Sequence, residues 1–199
     1  MKRVLIVSSN AKKIINIEVD AYIGVEKGAI LLHEQDYPID IAIGDFDSIS
    51  EKEKKTLANQ YKILELPSHK NESDSECALR YAFQHYDEVF ICGVSGGRLD
   101  HFIAIYNMLA YQDVRFTILD DQNCIYKLKK GIHKLLKRSK YVSLFALAPS
   151  KISIQGVAYP LSEQQLDEKD VYTISNEVIG EAILEIKYGV LMIVESNDD

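Results

Sequence analysis

The stretch Ile39-Asp40-Ile41-Ala42-Ile43-Gly44-Asp45-Phe46-Asp47-Ser48 decides the fold class, because a short apolar run leads directly into an acidic motif. The run lacks strict alternation of apolar and polar residues, which is typical of a strand buried on both faces of a parallel sheet. Gly44 permits a sharp bend where the strand ends. Open parallel sheets bind ligands beyond the carboxyl ends of their strands, so we predict that the acidic motif lies in a binding crevice.

The same combination of short apolar runs and helical patterns extends to about residue 121. Further strands are predicted at Val4–Ser8, Tyr22–Val25, Tyr61–Leu66, Glu88–Cys92 and Arg115–Leu119. Helices are predicted at Ser50–Asn59, Ser73–His85 and Asp100–Tyr111. Alternating strands and helices indicate an α/β domain over residues 1–121 with a mainly parallel sheet.

Residues 122–199 show a different pattern, in which short apolar runs are separated by glycine and proline turns. Strands are predicted at Tyr141–Ala146, Ile152–Gln155, Val171–Ile174, Ala182–Ile186 and Val190–Glu195. The segment Leu161–Asp170 is predicted to be a polar loop or one short helix. We expect an all-β antiparallel sandwich in this part of the chain.

The formal charge of the chain is −7, with 30 acidic and 23 basic residues. This balance disfavours a nucleic-acid backbone as the main partner. All the charged residues between residues 122 and 151 are basic. We interpret them as part of solvated strand faces and turns, with a phosphate-binding or nucleic-acid-binding patch as the alternative. These bases are Lys127, Lys129, Lys130, Lys134, Lys137, Arg138, Lys140 and Lys151.

Cysteine spacing and apolar run length bear on the compartment. The three cysteines are far apart and form no CxxC pair, which is typical of reduced thiols. The apolar runs are much shorter than the roughly 20 residues that span a bilayer. The run at Val4–Val7 is also too short for a signal peptide. We therefore expect a cytoplasmic protein that does not bind membranes.

The first acidic motif, Gly44–Ser48, has two interpretations. Residues two apart in an extended segment face the same way, so Asp45 and Asp47 could share a cation while Phe46 points into the protein. Alternatively, Asp47 or Ser48 caps the helix that begins near Ser50.

The second motif is Pro67-Ser68-His69-Lys70-Asn71-Glu72-Ser73-Asp74-Ser75-Glu76. Ser73 and Glu76 have the spacing of a capping box. The negative charge of Asp74 in the first turn would interact favourably with the helix dipole. Helix capping does not account for Lys70. This residue places a cation beside a helix N-terminus, which already attracts anions.

The third motif is Cys92-Gly93-Val94-Ser95-Gly96-Gly97-Arg98-Leu99-Asp100-His101. Its glycines, Gly96 and Gly97 among them, let backbone amides approach a ligand closely. Arg98 offers a fork for phosphate, and Asp100 could bind a metal or cap the next helix.

Three strand ends therefore supply carboxylates, and two of them also supply a cation. Carboxylates with Mg²⁺ and Lys or Arg are the groups used in phosphoryl transfer. The sequence has no GxxxxGK[ST] loop, so a Walker-type nucleotide site is excluded.

These motifs resemble those of the thiamin pyrophosphokinase family. The family pattern is GDFDS, then K-D-x-T-D-x-E-x-A-L, then G-x-x-G-G-R-x-D-H, and this chain has Gly44–Ser48, Lys70–Leu79 and Gly93–His101 in that order. The resemblance also covers Gly24–Gly28, Gly156–Leu161 and Ser175-Asn176-Glu177. This chain departs from the family at Glu26 and Asn71, where Asp is usual, and at Ser73, where Thr is usual.

The resemblance implies an activity and an assembly. ATP and thiamine would give AMP and thiamine diphosphate with Mg²⁺, in a homodimer whose active sites lie where subunits meet. Residues 1–121 would form the α/β domain that binds ATP and Mg²⁺. Residues 122–199 would form the sandwich that binds thiamine and dimerises.

The resemblance also implies roles for particular residues. Metal ligands would be Asp45, Asp47, Asp74 and Asp100, which with Arg98 form the catalytic set. The phosphates would contact Lys70, Gly96, Gly97 and Arg98. The substrate would contact Glu26, Ser73, Ser175 and Asn176, and Tyr188 would replace a tryptophan that this chain lacks. Two other functions stay open: another Mg²⁺-dependent phosphotransferase or phosphatase with an aspartyl nucleophile, and a non-catalytic thiamine or nucleotide sensor.

Overall fold

A computed structural model describes residues 1–135 and 139–198. Two compact units are present, one comprising Met1–Met108 with Ile118–Asp120 and the other Leu109–Thr117 with Asp121–Asp199. Two bases of the predicted basic stretch, Lys137 and Arg138, lie outside the described residues. Along the described ranges, no helix is both long enough and apolar enough to cross a membrane.

The first unit contains the parallel sheet that the sequence predicts. Its strands are β1 (Arg3–Val7), β2 (Ala21–Val25), β3 (Ile39–Gly44), β4 (Ile63–Glu65), β5 (Glu88–Cys92) and β6 (Thr117–Leu119). They lie in the order β6-β5-β1-β2-β3-β4. The pairs β5–β1, β1–β2, β2–β3 and β3–β4 are all parallel, so the carboxyl ends of these strands meet at one edge.

Four helices connect these strands: α1 (Lys27–Glu34), α2 (Glu51–Gln60), α3 (Asp74–His85) and α4 (Leu99–Tyr111). The sequence predicted α2, α3 and α4 to within one residue at each end. It missed α1, which has only eight residues and carries Gly28 in its first turn. Gly28 fits there because an added Cβ would lie 2.0 Å from the carbonyl oxygen of Val7.

The second unit is built on one long strand. Its strands are β7 (Asn123–Lys134), β8 (Tyr141–Ala146), β9 (Ser150–Val157), β10 (Leu161–Leu166) and β11 (Asn176–Ser196). Strand β11 pairs antiparallel with β7, β8 and β9, and β10 pairs antiparallel with β9. The core includes Ile152, Leu184 and Leu191, which are fully buried.

Three predictions for this unit were wrong. Ala182–Ile186 and Val190–Glu195 belong to one strand, whose register shifts between Ile186 and Val190. Val171–Ile174 is not a strand, although Thr173 exchanges hydrogen bonds with Leu144. Leu161–Leu166 is strand β10 instead of a loop or helix, because its backbone pairs with β9.

Strand β7 was not predicted at all, since its lysines obscure the apolar pattern. Several basic residues between residues 122 and 151, on β7 and beyond it, form ion pairs with acidic residues from other segments. The N···O distances are 2.7 Å for Lys129–Asp113, 3.1 Å for Lys134–Glu181, 3.0 Å for Lys140–Asp198 and 2.6 Å for Lys151–Glu163. This pairing supports the interpretation of the bases as part of ordinary solvated strand faces.

Candidate active site

The first acidic motif forms a turn directly after β3. Phe46 is buried, as predicted, at 4% exposure, but its φ of 59° is left-handed. The backbone is therefore not extended between Asp45 and Asp47, and the argument that these two carboxylates share one face was wrong. The amide of Asp47 instead donates to Oδ1 of Asp45 at 3.2 Å.

The helix after this motif has its own cap. The hydroxyl of Ser50 accepts from the amide of Glu53, and Oε2 of Glu53 accepts from the amide of Ser50, which completes a capping box. The interpretation of Asp47 or Ser48 as the cap of this helix was therefore wrong. The hydroxyl of Ser48 donates at 2.6 Å to Oε2 of Glu26.

Glu26 lies beneath the acidic motif and is only 3% exposed. Its Oε1 accepts from the amide of Phe46 at 2.5 Å, and its own amide donates to the carbonyl of Ile43 at 3.2 Å. A Cβ added to Gly44 would lie 2.0 Å from Oε1 of Glu26. The Glu26 carboxylate, held by its hydrogen bond to Phe46, therefore occupies the space that a side chain at residue 44 would need.

Lys70 brings a positive charge to the same place. Its Nζ lies 2.8 Å from Oδ1 of Asp74 and 3.7 Å from Oδ2 of Asp45, and it donates to the carbonyl of Pro67 at 3.1 Å. The Lys70 side chain is 14% exposed. Burial lowers the pKa of Lys70, but the hydrogen bond and charge of Asp74 and the charge of Asp45 outweigh it, so the pKa is raised overall.

Three carboxylates gather here: one oxygen each of Glu26, Asp45 and Asp74 lies within 4.8 Å of the others. Oδ1 of Asp74 is buried, and its near neighbour is the ammonium of Lys70 at 2.8 Å. Oxygen ligands of this charge and spacing suit Mg²⁺. The residues therefore fit a divalent cation. Of the described acids, Asp47 and Asp100 are not part of this group.

The glycine-rich loop presents an exposed ion pair. Arg98 donates from Nη2 to Oδ2 of Asp100 at 2.5 Å and from Nε to Oδ1 at 3.1 Å. The bond from Arg98 lowers the pKa of Asp100 to about 2. Asp100 lies in the first turn of α4. The fork of Arg98 that was predicted for phosphate is thus held on a neighbouring carboxylate.

The glycines of this loop have different roles. A Cβ on Gly93 would lie 2.5 Å from the amide nitrogen of Ala11, and one on Gly97 would lie 2.4 Å from Nδ2 of Asn10. A Cβ on Gly96 would meet nothing within 4 Å. Close packing against the backbone of Ala11 therefore requires Gly93, Gly97 packs against the side chain of Asn10, and the backbone around Gly96 is the open part of the loop. Asn10 was not predicted from the sequence.

The start of α3 has half of the predicted capping box. The hydroxyl of Ser73 accepts from the amide of Glu76 at 3.2 Å. The Glu76 carboxylate does not complete the box, since its Oε1 accepts from Nη2 of Arg80 at 2.8 Å. Ser73 thus caps the helix whose first residue, Asp74, contributes to the carboxylate group.

In the second unit, Asn176 lines a cavity of about 250 Å³ together with the exposed side chains of Tyr159, Tyr172 and Ile174. Its side chain accepts from the Tyr159 amide at 2.9 Å and donates to the Tyr159 carbonyl at 2.8 Å. Ser175 has a φ of 52°, and its amide donates to Oγ of Ser143. Tyr188 is 45% exposed on β11 and is not among the residues that line this cavity.

Comparison with known families agrees with this arrangement. The model described as the catalytic domain of thiamin pyrophosphokinase matches residues 13–119. The model described as its vitamin B1 binding domain matches residues 129–192. The chain belongs to the thiamin pyrophosphokinase family.

Individual relatives in the thiamin pyrophosphokinase family match over the whole chain. A thiamine pyrophosphokinase of Bacillus subtilis is 28% identical over 215 aligned positions, with 100% of both chains covered. The crystal structure of a thiamin pyrophosphokinase family protein from Enterococcus faecalis is 26% identical and has a TM-score of 0.89, with 100% of both chains covered. That of the Bacillus subtilis thiamine pyrophosphokinase is also 26% identical, with a TM-score of 0.87 and 100% of both chains covered.

Proposed function

We propose that this protein is a thiamine diphosphokinase, which transfers a diphosphoryl group from ATP to the hydroxyl of thiamine. The products are thiamine diphosphate and AMP. The proposal rests on one observation: the carboxylates of three residues lie together beside the ammonium of Lys70. These residues are Glu26, Asp45 and Asp74. Membership of the family across both of its domains supports the choice of substrates.

The reaction requires neutralisation and alignment of a highly charged polyphosphate. Mg²⁺, when bound, supplies positive charge to the phosphate oxygens. Asp45 and Asp74 would hold it, with Asp47 and Asp100 as further ligands in the proposal. Lys70 adds a second positive charge beside these carboxylates, and the exposed fork of Arg98 can turn from Asp100 towards a phosphate.

The remaining assignments complete the proposal. Residues 1–121 are the catalytic domain, with Gly96 and Gly97 contacting phosphate through their backbone. Residues 122–199 are a sandwich that binds thiamine and dimerises, so that active sites form between subunits. Thiamine contacts Ser73, Ser175, Asn176 and Tyr188, of which Asn176 is supported by its place in a cavity with exposed aromatic side chains. The protein acts in the cytoplasm.

Product analysis tests this function. Purified protein with thiamine, ATP and Mg²⁺ is expected to form AMP and thiamine diphosphate in equal amounts, measured by chromatography. Asp45→Asn should lower kcat by about a hundredfold or more, since it removes an anionic ligand of the cation that would neutralise the phosphates, and this neutralisation is worth several kcal/mol. Asp113→Asn is the control, because Asp113 forms an exposed ion pair with Lys129 in the other unit.

Two further measurements distinguish the other functions from this one. Release of phosphate with a trapped phosphoaspartate would indicate an aspartyl phosphotransferase or phosphatase. Tight binding of thiamine by calorimetry without AMP release would indicate a sensor. Near-full activity of Asp45→Asn would contradict the assigned carboxylate group.

A further inference from the structure

We infer that Glu26 is a positioning residue, which holds the turn of the acidic motif and so orients Asp45, and that it does not contact thiamine. This inference replaces the substrate role that the family resemblance implied for Glu26. It rests on the proposed function only for the activity measurements, because the binding of Mg²⁺ and the exchange of a backbone amide can be measured without that function.

Both carboxylate oxygens of Glu26 already serve the motif. Oε1 accepts from the amide of Phe46 at 2.5 Å, and Oε2 accepts from the hydroxyl of Ser48 at 2.6 Å. Glu26 is 3% exposed, and a buried carboxylate is costly unless hydrogen bonds compensate for its lost hydration. The two donors supply that compensation, and both come from within the acidic motif.

The bond to Phe46 coincides with the most unusual backbone of the motif. Phe46 has a φ of 59°, a left-handed conformation that bulky residues rarely adopt. Such a conformation persists only where surrounding contacts determine it. The amide of Phe46 is the group that Glu26 binds, so the carboxylate stabilises the turn that immediately follows Asp45.

The fit of Glu26 depends on its length. It lies immediately before α1, yet its side chain makes no capping hydrogen bond to that helix. The side chain instead extends over Gly44 to reach residues 46 and 48, and an added Cβ at residue 44 would lie 2.0 Å from Oε1. Glu26→Asp keeps the charge but removes one methylene, so it should lose the reach to one or both donors.

The consequence for the site is the position of Asp45. Its Oδ2 lies 3.7 Å from the ammonium of Lys70, and one of its oxygens lies within 4.8 Å of an Asp74 oxygen. If the turn relaxes, Asp45 moves away from Asp74 although its own side chain is unchanged. Loss of a group that orients a metal ligand without touching the metal typically lowers metal affinity by about 10–100-fold.

Two substitutions test whether Glu26 positions the turn, one by removing a hydrogen-bond donor and the other by moving the acceptor. Ser48→Ala removes the donor to Oε2 and leaves the charge of Glu26 in place, whereas Glu26→Asp keeps the charge and shortens the side chain. Ser162→Ala is the matched control, since Ser162 is exposed on β10. The whole chain is titrated with Mg²⁺ alone by calorimetry, and kcat and the KM for thiamine are then measured.

For Ser48→Ala and Glu26→Asp we expect Mg²⁺ affinity about tenfold lower. The value of kcat should fall in proportion, and the KM for thiamine should stay at the wild-type value. Amide exchange followed by NMR should show that the Phe46 amide exchanges at least about tenfold faster in Glu26→Asp, since its acceptor is displaced. Ser162→Ala should match the wild type in all of these measurements.

Two results would overturn the inference. A raised KM for thiamine with unchanged Mg²⁺ affinity would make Glu26 a substrate contact. A loss of Mg²⁺ affinity in Glu26→Asp but not in Ser48→Ala would make Glu26 a metal ligand in its own right. Should Glu26→Asp fail to fold, Ser48→Ala decides alone. Absence of AMP formation by the wild type would contradict the proposed function, while the Mg²⁺ and amide measurements would still judge this inference.

Discussion

At the scale of single residues, Lys70 has the most consequential position. Its ammonium lies 2.8 Å from a buried oxygen of Asp74 and 3.7 Å from Oδ2 of Asp45. These are oxygens that a divalent cation would use, so Lys70 and the metal compete for the same negative charge. In the presence of a polyphosphate, the same ammonium becomes an additional partner for phosphate oxygens.

Lys70→Met should therefore have opposite effects on metal binding and on activity. Without nucleotide, Mg²⁺ affinity measured by calorimetry should rise, by about tenfold, since a like charge a few ångströms away is worth on the order of 1 kcal/mol or more. With ATP and thiamine, kcat should fall because a phosphate partner is lost.

Lys129→Met is the matched control for this prediction, because Lys129 forms an ion pair of 2.7 Å with Asp113 in the second unit. Its Mg²⁺ affinity and kcat should stay unchanged. Weaker Mg²⁺ binding by Lys70→Met would show that the ammonium does not compete with the metal.

At the scale of elements, β11 is one strand because a local irregularity takes the place of a turn. Gly189 has a φ of 96°, and a Cβ there would lie 2.0 Å from Oγ of Ser150. The same hydroxyl accepts from the amide of Val190 at 3.2 Å. The glycine therefore lets the strand change register against β7, between Ile186 and Val190, and continue.

Gly189→Ala should destabilise the protein, since it combines an unfavourable φ with a close contact against Ser150. A loss of about 2 kcal/mol or more in the free energy of unfolding is expected in urea denaturation. Gly180→Ala on the same strand is the control, because the nearest atom to its added Cβ is 3.9 Å away. Equal stabilities of the two variants would contradict a special role for Gly189.

For the molecule as a whole, stability is coupled to pH by the partly buried Tyr126 and the buried Glu195, which lie far apart in the sequence. Tyr126 on β7 donates its hydroxyl to Oε1 of Glu195 on β11. Burial, the charge of Glu195 and this hydrogen bond together raise the pKa of Tyr126. The folded protein therefore keeps a proton that the unfolded chain releases above about pH 10.

Stability should consequently be complete below about pH 10 and fall as the pH rises further, by up to about 1.4 kcal/mol per pH unit for this group. Tyr126→Phe should lower stability at neutral pH by about 1–3 kcal/mol and reduce the alkaline slope. Part of the slope should persist, since burial and Asp40 also raise the pKa of Tyr86.

Urea denaturation between pH 8 and pH 11 measures this effect. Tyr159→Phe is the control, as Tyr159 is 75% exposed. An unchanged alkaline slope in Tyr126→Phe would mean that Tyr126 does not retain its proton in the folded state.

Local patterns in the sequence were sufficient to predict the parallel sheet of the first unit, the starts of α2 and α3, and the family. Short apolar runs, caps such as Ser50 and Ser73, and motif spacing are local properties, so the sequence shows them directly. It also predicted that Phe46 points inwards. It did not reveal strand β7, because the lysines at residues 127, 129, 130 and 134 leave neither a continuous apolar run nor a regular alternation in that strand.

Which acidic side chains come together is apparent only from the folded chain. Glu26 lies 20 residues from Phe46, and the bond between them selects the left-handed turn that removes the assumed alignment of Asp45 with Asp47. Asp74 joins this group from another helix, and β11 continues through Gly189 because of a contact with Ser150. These outcomes depend on hydrogen bonds and close packing between segments distant in the chain, which local spacing does not encode.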